Sequence, residues 1–286
     1  MSRVVRAWRA WVALMDRREP ATVLACVRIA VALVLLSDFA QIYRLELVDA
    51  LFAPPPVGFA HADATLWCHV ATIALVCLAL GAGTRAACVA YVVASSRLSI
   101  ALPDGDRGID VMLRLVIAIL AFSQCHARWS VDAWLRRRLG RPFPALVPAW
   151  PRYLLLLQLV WIYFSGGANK GGATWGPQGG FTALATVLTD PHLARFGPGW
   201  VATALPITRV ATALTMCFEL GAPLYLLAYY YAKTPDRPGR LRALSNRLHL
   251  RWVWIGLGLS FSLGIALFLR IGIFPWGLLA LYPVLY

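Results

Sequence analysis

Long apolar runs alternate with short arginine-rich segments along most of this chain. Together they make 60% of the residues hydrophobic and 14% charged, whereas soluble domains average roughly 45–50% apolar and 25% charged residues. A helix needs about 20 apolar residues to cross a bilayer, and several of the runs approach that length. The sequence therefore predicts an all-α fold, a polytopic transmembrane helical bundle of about 7–8 spans.

Seven apolar runs approach the length of a membrane span, and an eighth is shorter. The seven cover residues 22–44, 65–83, 86–102, about 109–126, 150–167, part of 201–231, and 252–270. Pro206 or Pro223 is expected to bend the sixth run, because proline interrupts the helical hydrogen-bond ladder. Residues 272–286 would extend about 22 Å as a helix, less than the ~30 Å of a bilayer core. This tail is therefore expected to be tilted, re-entrant or incomplete.

The first 21 residues are polar and basic, with Trp8 and Trp11 between the arginines. Such a segment is typical of a helix that lies in the membrane interface. The sequence therefore predicts a basic interfacial segment, residues 1–21, followed by a single transmembrane domain, residues 22–286. In the first long loop, the triple proline Pro54–Pro56 excludes a helix.

Positive charge is distributed unevenly between the segments that join the apolar runs. If the N terminus is cytoplasmic and the runs alternate, the inner segments carry 18 of the 27 Lys and Arg residues, and the outer segments carry five. This agrees with the enrichment of positive charge in cytoplasmic loops, and it places Lys170 at the extracytoplasmic face. The same loops account for the net charge of +14, so the lipid bilayer is an expected partner and nucleic acid is not.

The segment Gln158–Gly180, QLVWIYFSGGANKGGATWGPQGG, interrupts the pattern of apolar runs. Lysine is rare in the chain, with two lysines against 25 arginines, and unlike arginine it can lose its proton when buried. Gly166, Gly167, Gly171 and Gly172 are expected to let the backbone leave the fifth helix here. Irregular backbone at membrane depth is tolerated only where protein or water covers it. An irregular glycine-rich break after span five is therefore expected to line a pocket with Lys170.

Side chains of several kinds are candidates for this pocket. The candidates are Trp161, Tyr163, Trp175, Arg114 and Glu219. The aromatic residues could wall the pocket, although aromatic residues are also common in the belt at the membrane interface. Glu219 is a candidate proton acceptor, and Arg114 lies four residues after Asp110, so that these two can share a helix face. The alternative is that the intramembrane charges only pair between helices and fix their packing.

Other kinds of site have no support in the sequence. The six cysteines form no CxxC pair, and the five histidines show no zinc spacing, so no metal site is predicted. Internal repeats of the kind that mark many transporters are not visible, which disfavours a transporter.

Five short segments occur in one order along the chain: LGAGTRAA at 80–87, ARWSVDAWL at 127–135, IYFSGGANKGGATW at 162–175, ELGAPLYLL at 219–227 and IGIFPWGLLALYP at 271–283. Together they resemble the motifs of the HTTM (horizontally transferred transmembrane) domain family, which includes vitamin K-dependent gamma-carboxylase-like membrane proteins. The resemblance extends over residues 22–286.

The resemblance implies a site at the outer face of a helical bundle in the bacterial inner membrane. In the carboxylase a lysine deprotonates vitamin K hydroquinone, and Lys170 matches that lysine. The resemblance thus implies Lys170 as a catalytic base and vitamin K hydroquinone or another quinone as the cofactor. Asn169 replaces the first of two paired lysines, and Ile109 or Asp110, together with Ser262, stand where histidines are expected. These departures count against protein γ-carboxylation itself.

Two classes of function stay open. The first is a carboxylase- or oxygenase-like enzyme that acts on a peptide or small protein, with Lys170 as general base. The second is a non-enzymatic membrane factor for the maturation, export or sheltering of a peptide, as in relatives associated with sporulation-delaying-type toxins. In that case the same pocket only binds.

Overall fold

The computed structural model describes residues 3–48, 64–102 and 105–286. Helices account for 73% of the structure and strands for almost none, which confirms the all-α prediction. The chain divides into two compact units, Met1–Leu156 with Ala280–Tyr286, and Leu157–Leu279. Pro54–Pro56, for which the sequence excludes a helix, lie outside the described residues.

The structure describes thirteen α-helices. In chain order they are α1 (Arg3–Met15), α2 (Thr22–Arg44), α3 (Ala64–Leu80), α4 (Thr84–Ala101), α5 (Gly108–Phe122), α6 (Val131–Arg138), α7 (Trp150–Ala168), α8 (Ala183–Thr189), α9 (Leu205–Leu220), α10 (Ala222–Lys233), α11 (Arg240–Arg247), α12 (Leu250–Phe268) and α13 (Phe274–Leu279). Short 3-10 turns cover Ala173–Trp175, Pro177–Gly179, Pro198–Trp200 and Tyr282–Leu285.

Two of these helices, α2 and α12, are long and apolar enough to cross a membrane. The pair α9 and α10 passes the same test together and becomes a third span if the two are read as one. α3 is apolar but shorter, and α4 and α5 reach 18 and 15 residues. Two to three spans are therefore clear among the described residues, and the count of seven to eight remains a prediction.

In the first unit, α2, α3, α4 and α5 pack against one another in chain order. Their inward faces carry small and branched apolar residues at helical spacing, such as Ala71, Leu75 and Leu78 in α3. Burial of such faces is what holds short helices together, because isolated helices of this length are marginal. The exposed apolar residues on the opposite faces, such as Ile73 and Val89, are typical of lipid contact.

The basic segment 127–151 is more structured than the sequence suggested. It contains α6, whose N-terminus is capped by the Ser130 hydroxyl accepting a hydrogen bond from the Ala133 amide at 2.9 Å. It also contains a short strand, β2 (Leu146–Pro148), antiparallel to β1 (Arg18–Pro20). The missed helix has a recognisable start signal, since Ser130 precedes an acidic first turn and an arginine-rich last turn.

Two of the motif segments, residues 80–87 and 127–135, are joined by hydrogen bonds in the first unit. The carboxylate of Asp132 accepts hydrogen bonds from the amides of Gly83 and Thr84, at 2.8 and 3.0 Å, and from the Thr84 hydroxyl at 3.0 Å. In return the Asp132 amide donates to the carbonyl of Gly81 at 3.0 Å. The turn between α3 and α4, residues 81–84, and the start of α6, residues 129–132, therefore form one structural element.

Arg28, inside α2, is fully buried against this element. Its guanidinium donates to the carbonyls of Cys125, at 3.0 Å, and Trp129. A side chain on Gly81, which has a φ of +69°, would lie 2.8 Å from Arg28 and 2.3 Å from Ser130. The glycine therefore leaves room for a buried arginine that satisfies loop carbonyls.

The second unit contains the bend that the sequence placed at one of two prolines. α9 and α10 differ in direction by 61° across Gly221, and Pro223 stands in the first turn of α10. Proline is tolerated in a first turn, where its missing amide has no intrahelical partner. Pro206 instead starts α9. The bend therefore lies at Gly221, close to Pro223 and not at Pro206.

The C-terminal residues form two short helical pieces. α13 has six residues, too few to cross a bilayer, and belongs to the second unit. The 3-10 turn Tyr282–Leu285 belongs to the first unit, where Val284 and Leu285 are buried. The tail was expected to be tilted, re-entrant or incomplete. Neither of its two helical pieces is by itself a complete span.

Candidate functional site

Lys170 lies directly after α7, in the second unit. The helix continues through Gly166 and Gly167, so the prediction that the backbone leaves the helix at these two glycines is wrong, whereas Gly171 and Gly172 do lie in the break. The break begins at Asn169, whose side-chain amide donates to the Ser165 carbonyl at 2.8 Å and so caps the helix end. Two 3-10 turns then carry the chain to α8.

Gly167 serves close packing instead. A Cβ on Gly167 would lie 2.8 Å from the Cβ of Glu219 and 3.1 Å from the amide of Leu220. Small residues let helix backbones approach closely, and this is a common device in membrane helices. Gly167 thus brings the C-terminal end of α7 against the C-terminal end of α9.

This approach places Lys170 beside Glu219. The ammonium of Lys170 donates a hydrogen bond to Oε2 of Glu219 and forms an ion pair with it. The Glu219 side chain is only 5% exposed, and the Lys170 side chain is 21% exposed. Removing a carboxylate from water is costly unless a cation and hydrogen bonds compensate it. Lys170 supplies both.

Aromatic rings enclose the lysine head. Nζ of Lys170 lies 4.5 Å from the ring centre of Trp175 and 5.8 Å from that of Phe261. An ammonium over an aromatic face is attracted by the ring quadrupole, more strongly where water is excluded. The lysine is therefore held by a carboxylate on one helix and by rings from the following loop and from α12.

The lysine head also lines a cavity of about 580 Å³. Its walls are one face of α9, one face of α12, and parts of α8 and the loops. On α9 they include Thr208, Ala211, Thr212, Thr215 and Phe218, and on α12 Leu257, Phe261, Gly264, Ile265 and Phe268. Both sets follow the three- and four-residue spacing of a helix face. Ligand pockets typically have volumes of about 300–1,000 Å³.

The cavity has two chemically different ends. Lys170 and Trp175 lie near Phe261, whereas Phe268 packs with Trp200 into the apolar cluster around Leu188. Seven residues of helix separate Phe261 from Phe268, a distance of about 10 Å. The hydroxyl of Thr212 donates to the Thr208 carbonyl at 2.8 Å and accepts from the Leu184 amide at 3.2 Å. The cavity is therefore apolar along its length and charged at one end.

A cluster of packed aromatic rings lies behind the cavity wall at its charged end. The ring of Tyr163 lies 4.7 Å from that of Phe218, edge to face, and Phe218 lies 4.8 Å from Trp254. The Tyr163 hydroxyl lies 3.4 Å from that of Ser262, and both residues are buried. Pairs of this geometry stabilise each other beyond simple burial. They fix Phe218, the neighbour of Glu219 in sequence.

The predicted site residues have different positions. Lys170, Glu219 and Trp175 come together, and Lys170 and Trp175 line the cavity. Tyr163 lies one layer behind the cavity wall, against Phe218. Trp161 is 66% exposed on the outside of α7, as expected for a residue of the membrane belt.

Arg114 belongs to the first unit and lines a different cavity there. Its guanidinium forms an ion pair with Asp106 at 2.7 Å and donates to the Ser95 hydroxyl at 3.1 Å. It does not use Asp110, its neighbour at four residues, because Asp110 is held by Arg107 at 2.7 Å.

Sequence reasoning did not single out the cavity residues of α12. Phe261, which faces Lys170, is seven residues before Phe268 and three before Gly264, and all three line the cavity. A glycine between aromatic residues on one helix face is a signal that could have suggested space at that position. In the described part of the chain, no group of three or more His, Cys, Asp or Glu side chains could hold a metal ion.

Fold and site together define an all-α membrane protein with an apolar, helix-lined cavity that ends at a lysine–glutamate pair. Comparison with protein families then gives its membership. The family model of the HTTM domain matches residues 16–227, more than two thirds of the chain, and the chain belongs to the HTTM domain family. This family is linked to vitamin K-dependent carboxylase-like membrane proteins. No curated protein and no solved structure matches the chain.

Proposed function

We propose that this HTTM-family protein binds a prenylated quinone or a similar lipid-like cofactor in the cavity beside Lys170, and that Lys170 acts there as a general base. One arrangement supports this function above all. An apolar cavity of about 580 Å³ ends at an ammonium group that is paired with a buried carboxylate and flanked by the rings of Trp175 and Phe261.

The residues of the cavity suit such a cofactor. A prenylated quinone has a flat polar head and a long apolar tail, and the cavity has a charged aromatic end and an apolar body. Trp175 and Phe261 would stack on or against the ring, and Ile265 and Phe268 would contact the tail. When bound in reduced form, a quinone supplies an acidic hydroxyl group.

The lysine–glutamate pair supplies a route for the proton. Glu219 accepts the hydrogen bond from Nζ of Lys170, so a proton can pass along that bond to the carboxylate. Lys170 is then a neutral amine that faces the cavity. It can form a new N–H bond with the proton of a bound hydroxyl group as that O–H bond breaks. Glu219 is in this account a positioning residue and a proton acceptor behind the base.

Binding is tested by extracting lipids from the purified protein and searching for prenylated quinones by mass spectrometry. Gly264→Leu fills the cavity, because the glycine has open space where a side chain would extend and lines the wall. Gly256→Leu is the matched control on α12, equally open but exposed and outside the cavity lining. We expect bound quinone in the extracts of the wild type and of Gly256→Leu, but not in the extract of Gly264→Leu. A wild type without quinone contradicts the proposal.

Catalysis is tested separately with Lys170→Arg. Arginine keeps the charge and can pair with Glu219, but it does not give up its proton in proteins. The variant is expected to retain bound quinone and to lose at least about 100-fold of the rate at which the protein consumes reduced menaquinone in the presence of oxygen, as for the loss of a general base. An unchanged rate excludes Lys170 as the base.

A second candidate function is favoured by the ion pair itself. Lys170 is paired with Glu219 and flanked by the rings of Trp175 and Phe261, and such a lysine also fits a purely structural role at the mouth of a binding pocket. The protein would then be a non-enzymatic factor that helps to mature, export or shelter a peptide. In that case Lys170→Arg keeps full function and wild-type protein consumes no quinone.

We infer that the protein forms a bundle of seven or eight spans in a bacterial inner membrane, with the N terminus cytoplasmic and Lys170 at the outer face. The distribution of arginine along the chain supports this orientation. The exposed Trp8 and Trp11 on α1 support an interfacial position for residues 1–21. The two faces are distinguished with variants that carry a cysteine in place of Lys170 or of Arg137. Each variant is labelled in intact cells with a membrane-impermeant reagent.

A further inference from the structure

The first unit contains a cavity of its own, of about 500 Å³, that the proposed function does not use. It lies where α2 and α4 end and α5 begins. Its apolar walls include Leu35, Phe39, Ile42 and Leu98. Three carboxylates and two guanidiniums also line it, those of Asp38, Asp106, Asp110, Arg107 and Arg114.

The charges of this cavity leave one carboxylate in excess. Arg107 holds Asp38 at 2.6 Å and Asp110 at 2.7 Å, and Arg114 holds Asp106 at 2.7 Å. With three acidic and two basic groups, the described residues that line the cavity carry a formal charge of −1. Burial raises the pKa of the Asp106 carboxyl, but hydrogen bonds from Arg114 and Ser99 outweigh this and keep its pKa below the usual range. The carboxylate is therefore charged at neutral pH.

The carboxylates of this cavity can accept further hydrogen bonds. Asp38 accepts hydrogen bonds from Arg107 alone among the described residues, and a carboxylate has about four acceptor positions. Arg107 and Arg114 each direct most of their N–H groups to carboxylates and serine oxygens. A ligand with several N–H donors would complete the site, whereas an anion would compete with the existing carboxylates.

An independent observation comes from Tyr91. This residue is 3% exposed and lines the cavity, and its hydroxyl makes no hydrogen bond to any described residue. The residue is buried as a whole, but its hydroxyl oxygen is not among the fully enclosed polar atoms, so the hydroxyl is accessible from the cavity. The cavity therefore presents, next to its carboxylates, a hydroxyl group that can bond to a ligand.

We propose that this cavity binds a primary ammonium group on an apolar stem. The ammonium donates its three hydrogens to Asp38, to Tyr91 and to one further carboxylate, and the stem packs on Phe39 and Leu98. Binding neutralises the excess charge and gives the Tyr91 hydroxyl a partner. Such a group occurs at the side chain of lysine, at the amino terminus of a peptide and in the ethanolamine headgroup of a lipid.

The test uses the full-length protein in detergent and three small probes at pH 7.5, followed by saturation-transfer NMR. The probes are n-butylamine, n-butanol and butyrate, which share a stem and differ in charge. We expect n-butylamine to bind at least about tenfold more tightly than n-butanol, and butyrate not to bind. Equal affinity for n-butylamine and n-butanol overturns the proposal.

Two variants tie the binding to the cavity. Asp38→Asn is expected to weaken n-butylamine binding about 10- to 100-fold, as for the loss of a hydrogen bond to a charged group. Tyr91→Phe removes a hydroxyl that bonds to none of the described residues, so folding is retained while binding weakens several-fold. Asp16→Asn, which makes the same charge change at an exposed position, is the control. Binding that neither Asp38→Asn nor Tyr91→Phe weakens overturns the proposal.

The source of the ammonium is distinguished by repeating the titration in nanodiscs. Loss of n-butylamine binding in phosphatidylethanolamine but not in phosphatidylcholine supports the proposal with a lipid headgroup as ligand. Binding that persists in both lipids and is displaced by a lysine-containing peptide supports it with a peptide amine as ligand. No residue of the Lys170 cavity takes part, so failure here leaves the proposed function untouched.

Discussion

Lys170 and Glu219, which are 49 residues apart in sequence, form an ion pair at the charged end of the cavity in the second unit. The pair depends on two features of the chain. Gly167 lets α7 approach α9, and Asn169 ends α7 one residue before the lysine. A buried carboxylate is tolerated at this point only because the lysine head reaches it.

A double-mutant cycle measures this coupling. Glu219→Met leaves the lysine unpaired in a partly buried position, and we expect it to lower the free energy of unfolding by about 2–3 kcal/mol. Lys170→Met leaves the more deeply buried carboxylate unpaired and should cost at least as much. The double variant replaces both charges by apolar groups and should recover stability to within about 1 kcal/mol of the wild type.

Thermal unfolding in detergent, followed by tryptophan fluorescence, provides the measurement. A double variant that is destabilised by the sum of the two single changes would mean that Lys170 and Glu219 act independently. The same three proteins can be examined for bound quinone, so that stability and binding are separated.

The close approach of α7 and α9 gives a second prediction. Gly167→Ala puts a methyl group 2.8 Å from the Cβ of Glu219, so the helices must separate, and we expect a loss of about 1–3 kcal/mol. Gly166→Ala meets only Oε1 of Glu219 at 3.5 Å, an ordinary contact, and should be neutral or stabilising by up to about 1 kcal/mol.

Both glycines are helical and adjacent, so the comparison isolates the packing effect from helix propensity. Unfolding midpoints of the two variants are compared under one set of conditions. If Gly167→Ala is as stable as Gly166→Ala, the close contact does not constrain the helices.

Local sequence patterns predicted the long helices but missed α6, and they indicated only some residues of the candidate site. α2 was predicted at its observed bounds, because an apolar run with polar flanks is a local signal. Gly166 and Gly167 were assigned to the break because a glycine that loosens a helix and one that admits a neighbouring helix look alike in sequence. Which of the two applies depends on Glu219, on a distant helix.

Ion pairs were the hardest feature to predict. The four-residue spacing of Asp110 and Arg114 permits a pair, but Arg107 reaches Asp110 from the turn before α5, and Arg114 turns to Asp106. Nothing in the local spacing ranks these alternatives, since each distance depends on how the turn before α5 folds. The Lys170 segment was singled out because its lysine, glycines and tryptophan are unusual together, whereas Glu219, with which Lys170 pairs, was only one of several intramembrane charges.

Gly81 gives a third prediction, on the turn after α3. Gly81→Ala combines a φ of +69° with a methyl group 2.3 Å from the Cβ of Ser130, and we expect it to lower the free energy of unfolding by at least about 3 kcal/mol. Gly83→Ala shares the positive φ, at +54°, but has no atom within 4 Å, so it should cost only about 1–2 kcal/mol. Yields of folded protein and unfolding midpoints check this order. Equal effects would show that the contact with Ser130 is readily relieved.

Asp132 gives a prediction on pH. Burial raises the pKa of its carboxyl, but the hydrogen bonds from the Thr84 and Gly83 amides and from the Thr84 hydroxyl outweigh burial, so its pKa lies below the usual value. A lowered pKa in the folded state means that the unfolded chain binds the proton more readily. The stabilisation is therefore complete above the unfolded pKa of about 3.9 and is lost as the pH falls through the lower, folded value.

We therefore expect the unfolding midpoint of the wild type to fall as the pH is lowered from about 5 to 3, and Asp132→Asn to be less stable at pH 7 and flatter over that range. His126, whose pKa is lowered mainly by burial and also by Arg85, adds a separate loss that begins near pH 6.5. His126→Gln removes that earlier loss and leaves the Asp132 range unchanged, so the two contributions are distinguishable. A wild type and an Asp132→Asn variant with parallel profiles between pH 5 and 3 would show that the hydrogen bonds to Gly83 and Thr84 do not depend on the carboxylate charge.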